Sequence, residues 1–287
     1  MKNKIGVMQG RLSNPVNNEI QAFPMKEWKE EFSKAEEIGY DLIEWIFDSL
    51  ENPIMSDKGV LEMGENIENS KINIHSVCAD YFMKNLLFDL PKNELKKNFE
   101  VLVKLIHQCS KLGIKMIELP FVDSSSLLKT NKVNEIFDNL KPIISLLEKK
   151  KIIITLETDL PPDQFYDLLN KFNSPYIKAN YDIGNSISNG FDPELEISIL
   201  KDHIFNVHIK DRIFHGNTVT LGKGDVDFGV LFASLAKINY KKDLIIQGAR
   251  EDLGEEQVDP VKTCTKYLVF VKKYISSLKL EYLNDKQ

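Results

Sequence analysis

Residues 152–162 read IIITLETDLPP, an apolar, β-branched run that stops at Glu157 and is followed by Pro161-Pro162, a pair suited to the start of a helix. The same grammar recurs downstream. YIKANYDIGN (176–185) stops at Asp182, IFNVHIKD (204–211) carries His208, and LIIQGAR (244–250) places Gln247 after its apolar run, so a polar residue closes a strand-like segment every 25 to 39 residues. A carboxylate, a second carboxylate, an imidazole and an amide oxygen at successive strand ends can converge on one divalent cation.

Outward from these four segments the pattern covers the chain. Strand-like runs are expected at 5–9, 41–47, 71–77, 115–121, 152–157, 177–182, 204–209 and 244–247. Helical patterns lie between them at 26–38, 57–69, 94–112, 132–149, 162–172, 192–200, 228–238 and 259–276, with Gly39 and Gly113 as stop signals. Eight strand-helix repeats imply an α/β fold, a single-domain (β/α)8 TIM barrel over 1–280, with 281–287 as a polar C-terminal tail. A doubly wound sheet is the competing architecture, but it rarely takes eight evenly spaced strands each followed by a helix. In a barrel, chemistry sits at the C-terminal ends of the strands, where Glu157, Asp182, His208 and Gln247 all fall.

Composition narrows the function. The chain has 287 residues, 43% of them hydrophobic, and a formal net charge of −6, which gives nothing that attracts a nucleic-acid backbone globally. The three cysteines, Cys78, Cys109 and Cys264, form no CxxC pair, as expected of reduced thiols in a cytoplasmic protein. No run of 18 apolar residues suggests a membrane span, and the N-terminus lacks the apolar stretch of a signal peptide.

Taken singly, each site residue has an ordinary reading. A carboxylate at a strand end is more often a helix cap or a solvated loop group than a ligand, and a lone strand histidine is usually a satisfied core residue. Co-location at one barrel rim shifts the balance toward a site. Cations gather at the same rim: Arg11 after strand one, Lys210 and Arg212 after strand seven, Lys223 within GKGD and Arg250 after strand eight. They suit an anionic substrate, with Gly222-Lys223-Gly224 offering backbone N–H groups to a phosphate, or they pair with Asp211, Asp225 and Glu251. Glu44, His75 and Glu118 are further candidates to bind substrate hydroxyls, with Trp45 either an aromatic wall or, equally, core packing; His75 precedes its strand end, which favours a buried structural role.

The runs LETD, YDIGN, HIKDR and LGKGDVDF, with MQGRLS near the start, make the chain resemble the xylose isomerase-like barrel superfamily, which includes sugar and sugar-phosphate isomerases, epimerases and metal-dependent apurinic endonucleases. The resemblance implies one divalent metal ion (Mn, Mg, Co or Zn) held by Glu157, Asp182, His208 and Gln247, and a small-molecule sugar or sugar phosphate as substrate. It also implies an isomerase or epimerase working through an enediolate, with Glu157 and Gln247 in the places of the family's paired catalytic glutamates. Asn185 stands where some epimerases of the family carry a substrate-binding histidine.

Gln247 is the departure, because an amide can coordinate a cation but cannot carry a proton. Glu157 is then the one remaining carboxylate base. That favours isomerisation, or epimerisation with a substitute acid such as Lys210 or a metal-bound water. Two other outcomes are an apurinic-endonuclease-like phosphodiesterase, for which five histidines in all are a poor endowment, and a non-catalytic sugar-binding barrel. A homo-oligomer is left open.

Overall fold

The computed structural model describes residues 3–250, 252–253, 256–257 and 259–284. Eight parallel strands close into a barrel: β1 (Ile5–Met8), β2 (Leu42–Ile46), β3 (Ser76–Cys78), β4 (Met116–Phe121), β5 (Ile153–Thr158), β6 (Ile177–Asp182), β7 (Ile204–Ile209) and β8 (Asp243–Ile246). Each strand pairs with its sequence neighbours and β1 pairs with β8, which is the expected single-domain TIM barrel.

Local sequence explains where elements start and stop. Glu30–Ile38 ends at Gly39 (φ 92°) and Lys92–Leu112 at Gly113 (φ 73°), both left-handed positions that glycine adopts without a Cβ clash. Before Glu30 the expected helical residues 26–29 are turns built on Pro24, whose carbonyl accepts from Glu27 and Trp28. The expected helix 132–149 is broken: Val133–Leu140 and Ile144–Lys150 flank a 3-10 turn at Lys141–Ile143, where Pro142 has no N–H to give. Strand β3 is shorter than 71–77, since only one isolated bridge, Leu42 to Asn73, precedes it and the His75 carbonyl takes two amides, from Lys115 and Met116. The last helix spans Pro260–Asn284, so the tail expected from residue 281 is helical as far as Asn284; residues 285–287 lie outside the described residues.

Strand alternation divides the barrel into a polar lumen and an apolar mantle. Glu118 is level with Thr155, Pro120 with Glu157, Asn180 with Asn206 and Asp182 with His208, and these partners turn to the same side. Intervening residues such as Ile117, Leu119, Ile154, Leu156, Val207 and Ile209 are buried in the core against the helices. Trp45 belongs to the mantle: it is fully buried against Phe23 (5.0 Å) and Trp28 (5.3 Å), and its Nε1 donates to Asn52. It is therefore core, the second of the two readings expected for Trp45, and not an aromatic substrate wall.

Candidate metal centre and active-site cavity

Polar side chains that share one face of neighbouring strands are forced together as the barrel closes. Glu157, Asp182 and His208 offer ligand atoms within 4.8 Å of one another, and so do Glu44, Glu118 and His208, the imidazole being common to both groups. His208 is fully buried, with Nδ1 3.5 Å from Glu157 Oε2 and 3.8 Å from Asp182 Oδ2. Its Nδ1 has no hydrogen-bond partner. A buried ring nitrogen left unpartnered between two carboxylates is the arrangement a cation would complete, and one imidazole with two carboxylates suits a borderline ion such as Zn²⁺ or Mn²⁺. The residues present fit a metal.

The other half of the centre is closed by an ammonium. Lys210 Nζ donates to Asp182 Oδ2 (2.9 Å) and to Gln247 Oε1 (3.2 Å). Gln247 in turn donates through Nε2 to Gln21 Oε1 (2.8 Å), which fixes the amide with its oxygen toward Lys210. Burial would lower the Lys210 pKa, but the charges of Asp182 and Glu157 hold it above the usual lysine value. For Asp182, burial pushes the other way, and the Lys210 ammonium, with the neighbouring His208 ring, keeps its carboxyl well below the usual range.

Glu157 is held from two sides by amides: Asn180 Nδ2 donates to Oε2 (2.7 Å) and Asn185 Nδ2 to Oε1 (2.5 Å). Burial and the Asp182 charge raise its pKa, yet His208 and Lys210 bring it below the ordinary carboxylate value, so Glu157 is an anion at neutral pH. Asn185 also accepts from Arg212 Nη1 (2.7 Å), linking the carboxylate to the rim guanidinium. The close approach depends on Gly184: a Cβ there would lie 2.8 Å from Lys210 Cγ and 3.2 Å from Arg212 Cγ.

A cavity of about 640 Å³ opens over this centre, lined among others by Gln21, Asp80, Glu118, Glu157, Asn185, Lys210, Arg212 and Gln247. Four expected substrate contacts are not on its wall and are corrected. His75 lies at the other end of the barrel, where Nδ1 is 2.7 Å from Asp243 at the start of β8. Arg11 is buried and spends its guanidinium on the carbonyls of Gly248 and Ile20 and on Gln21 Oε1. Arg250 donates to the carbonyls of Ser13 and Gly10, tying the loops after β8 and β1. Glu44 is fully buried beneath His208, out of reach of the cavity.

The phosphate cradle expected at Gly222-Lys223-Gly224 is also filled from within. Asp211, fully buried, accepts from Gly222 N (2.8 Å) and Gly224 N (2.9 Å) through Oδ2 and from Val226 N (3.2 Å) through Oδ1. A Cβ at Gly224 would meet Asp211 Oδ1 at 2.2 Å. The spacing of HIKD and GKGDVDF is thus explained by a carboxylate that staples its own loop.

A model of the xylose isomerase-like TIM barrel family matches residues 32–262. The chain belongs to this family. Within the xylose isomerase-like barrels it is 24% identical, over 88% of its length and 92% of the other's, to L-ribulose-5-phosphate 3-epimerase UlaE of Escherichia coli. Its fold matches a zinc-bound IolI protein (TM-score 0.74, 18% identity, 94% of this chain and 99% of that one). It also matches 3-keto-D-glucoside 4-epimerase YcjR from E. coli (TM-score 0.73, 17% identity, 95% and 100%). It is likewise 24% identical, over 93% of its length and 96% of the other's, to a putative L-ribulose-5-phosphate 3-epimerase, SgbU, of Haemophilus influenzae. Among the described residues no helix is long and apolar enough to cross a membrane.

Asn180, Ser76 and Gln21 were missed by sequence reasoning, whereas strand alternation already puts Asn206 on the face of His208. Asn180 lies two residues before Asp182 on the same strand face, a period-2 signal that could have found it.

Proposed function

We propose that the chain is a metal-dependent epimerase of a small ketose or ketose phosphate. The observation that carries this is the unpartnered His208 Nδ1 between Glu157 and Asp182, with the Lys210 ammonium on the remaining side. Glu157, Asp182 and His208 would hold the metal, with the Gln247 carboxamide oxygen close by. The metal would supply Lewis-acid stabilisation of negative charge at the substrate carbonyl and neighbouring hydroxyl oxygens.

The remaining chemistry is the chain's own. Glu157, ionised and fixed by two amides, removes the proton from the carbon next to the carbonyl. Epimerisation requires a proton delivered to the other face of that carbon. Gln247 cannot deliver one, but Lys210 sits against its amide oxygen, so Lys210 replaces the missing carboxylic acid and regains its proton from solvent. Arg212, which lines the cavity and has no carboxylate in ion-pair range among the described residues, is suited to an anionic group at the far end of the substrate. The kinship with L-ribulose-5-phosphate 3-epimerases makes a phosphorylated ketose the first compound to try.

The test is solvent-deuterium incorporation at the carbon alpha to the carbonyl, with L-ribulose 5-phosphate and unphosphorylated ketoses, before and after chelation. Epimer formation with deuterium uptake, lost on chelation and restored by Mn²⁺ or Zn²⁺, is expected. A chain that binds one of these sugars but exchanges no deuterium is a binding barrel, and the catalytic reading falls.

A further inference from the structure

Beneath the proposed metal centre the barrel lumen holds a second layer of polar groups to which none of the preceding roles applies. His208 Nε2 lies 2.6 Å from Glu44 Oε2. The opposite oxygen of Glu44, a fully buried residue, accepts from Ser76 Oγ (2.5 Å) and from Asn206 Nδ2 (3.0 Å). Glu118 Oε2 is also near, 3.1 Å from the same nitrogen, but makes no hydrogen bond. Two carboxylates thus flank Nε2, and one of them grips it.

We infer that Glu44 is a positioning residue that compels His208 to carry its proton on Nε2 and present the Nδ1 lone pair to the metal. The inference rests on the metal reading above. An imidazole ligates through an unprotonated nitrogen, and which nitrogen is free depends on what the other one bonds to. As a carboxylate Glu44 can only accept at Nε2, and its far oxygen is already committed to two donors on β3 and β7. Ser76 and Asn206 therefore act through Glu44: they hold the carboxylate plane, and the plane holds the ring. With Nε2–H committed below, Nδ1 is left facing Glu157 and Asp182, where it has no other partner.

The pair Glu44 and Glu118 supplies its own control. E44Q and E118Q each change one carboxyl group close to the ring, but only E44Q exchanges an acceptor at Nε2 for an amide that must place its NH₂ toward either His208 or the Ser76 and Asn206 donors. E44D keeps the charge and withdraws the oxygen by one methylene, testing position alone and guarding against a misfolded E44Q. Zn²⁺ and Mn²⁺ dissociation constants are measured by titration of the metal-free full chain, with 15N NMR of the Zn²⁺-loaded histidines to read which nitrogen is coordinated.

E44Q is expected to weaken metal binding about tenfold more than E118Q, within the 10- to 100-fold range usual for such supporting carboxylates, with E44D between wild type and E44Q. The NMR spectrum of wild type should show Nδ1 coordinated and Nε2 protonated. Equal losses in E44Q and E118Q with E44D unchanged would mean that the Glu44 contact with Nε2 has no special part, overturning the inference while the metal reading stands. A wild-type chain that binds neither ion overturns both.

Discussion

Lys210 Nζ lies 3.2 Å from the Gln247 amide oxygen, so an ammonium and a neutral amide meet where an ammonium and a carboxylate would otherwise form an ion pair. The same nitrogen is 2.9 Å from Asp182. This contact places an ammonium beside an amide that has no proton to transfer at neutral pH.

Lys210→Met is therefore expected to reduce epimer formation by about 10²- to 10⁴-fold, the usual worth of one general acid, while deuterium exchange from the Glu157 side persists. Gln247→Glu in the Lys210→Met background should recover part of the loss. Equal loss of exchange and of epimer formation in Lys210→Met would show that Lys210 serves binding or metal support instead.

Arg212 and Arg250 separate substrate binding from scaffolding. Arg212 lines the cavity while its Nε and Nη2 donate to the Gly216 carbonyl and its Nη1 to Asn185, whereas Arg250 is off the cavity wall and spends its donors on the Ser13 and Gly10 carbonyls. Arg212→Ala should raise KM for a phosphorylated ketose far more than for its unphosphorylated form. Arg250→Ala should lower thermal stability and leave the ratio of the two KM values unchanged.

The sequence patterns that proved legible were those with a strong period. Strands β6 and β7 stand where IKANYD and IFNVHI predict them, because β-branched and aromatic residues alternate there with inward polar ones. The grouping of Glu157, Asp182 and His208 followed from strand-end position alone. What stayed hidden depends on side-chain direction after long loops. Arg11 and Arg250 follow strands as expected, but their guanidiniums reach backbone carbonyls that no spacing rule reveals. Likewise, HIKD and GKGD look like a phosphate loop until Asp211 is seen to occupy its N–H groups.

Stability should carry a pH signature from Glu196. It is buried, bonded to Ser186 Oγ, and burial lifts its pKa from the ordinary 4.5 to about 7. A folded pKa above the unfolded one means that the folded chain keeps a proton the unfolded chain has lost, so this group's contribution falls as pH rises from 4.5 to 7 and then levels off. The full drop is about 3 kcal/mol. Glu196→Gln should remove that slope, so urea midpoints of variant and wild type agree near pH 4.5 and diverge in the variant's favour by pH 8. Parallel curves would place the ionisation elsewhere.

Asp211 gives the last prediction. Its two oxygens accept three backbone N–H groups of the loop Gly222–Val226, and the residue is fully buried, so replacing the carboxylate leaves donors without an acceptor. Asp211→Asn keeps the volume but turns one acceptor into a donor that faces either Gly222 and Gly224 or Val226. A loss of about 2 kcal/mol is expected, with faster amide exchange confined to residues 222–226. Gly224→Ala should act on the same loop from the opposite side, since its Cβ would enter the space of Asp211 Oδ1. If the loop were instead a phosphate cradle, inorganic phosphate would protect those amides in wild type and Asp211→Asn would bind phosphate more tightly by shedding a negative charge. The filled cradle predicts neither: phosphate should leave exchange at 222–226 unchanged in both proteins.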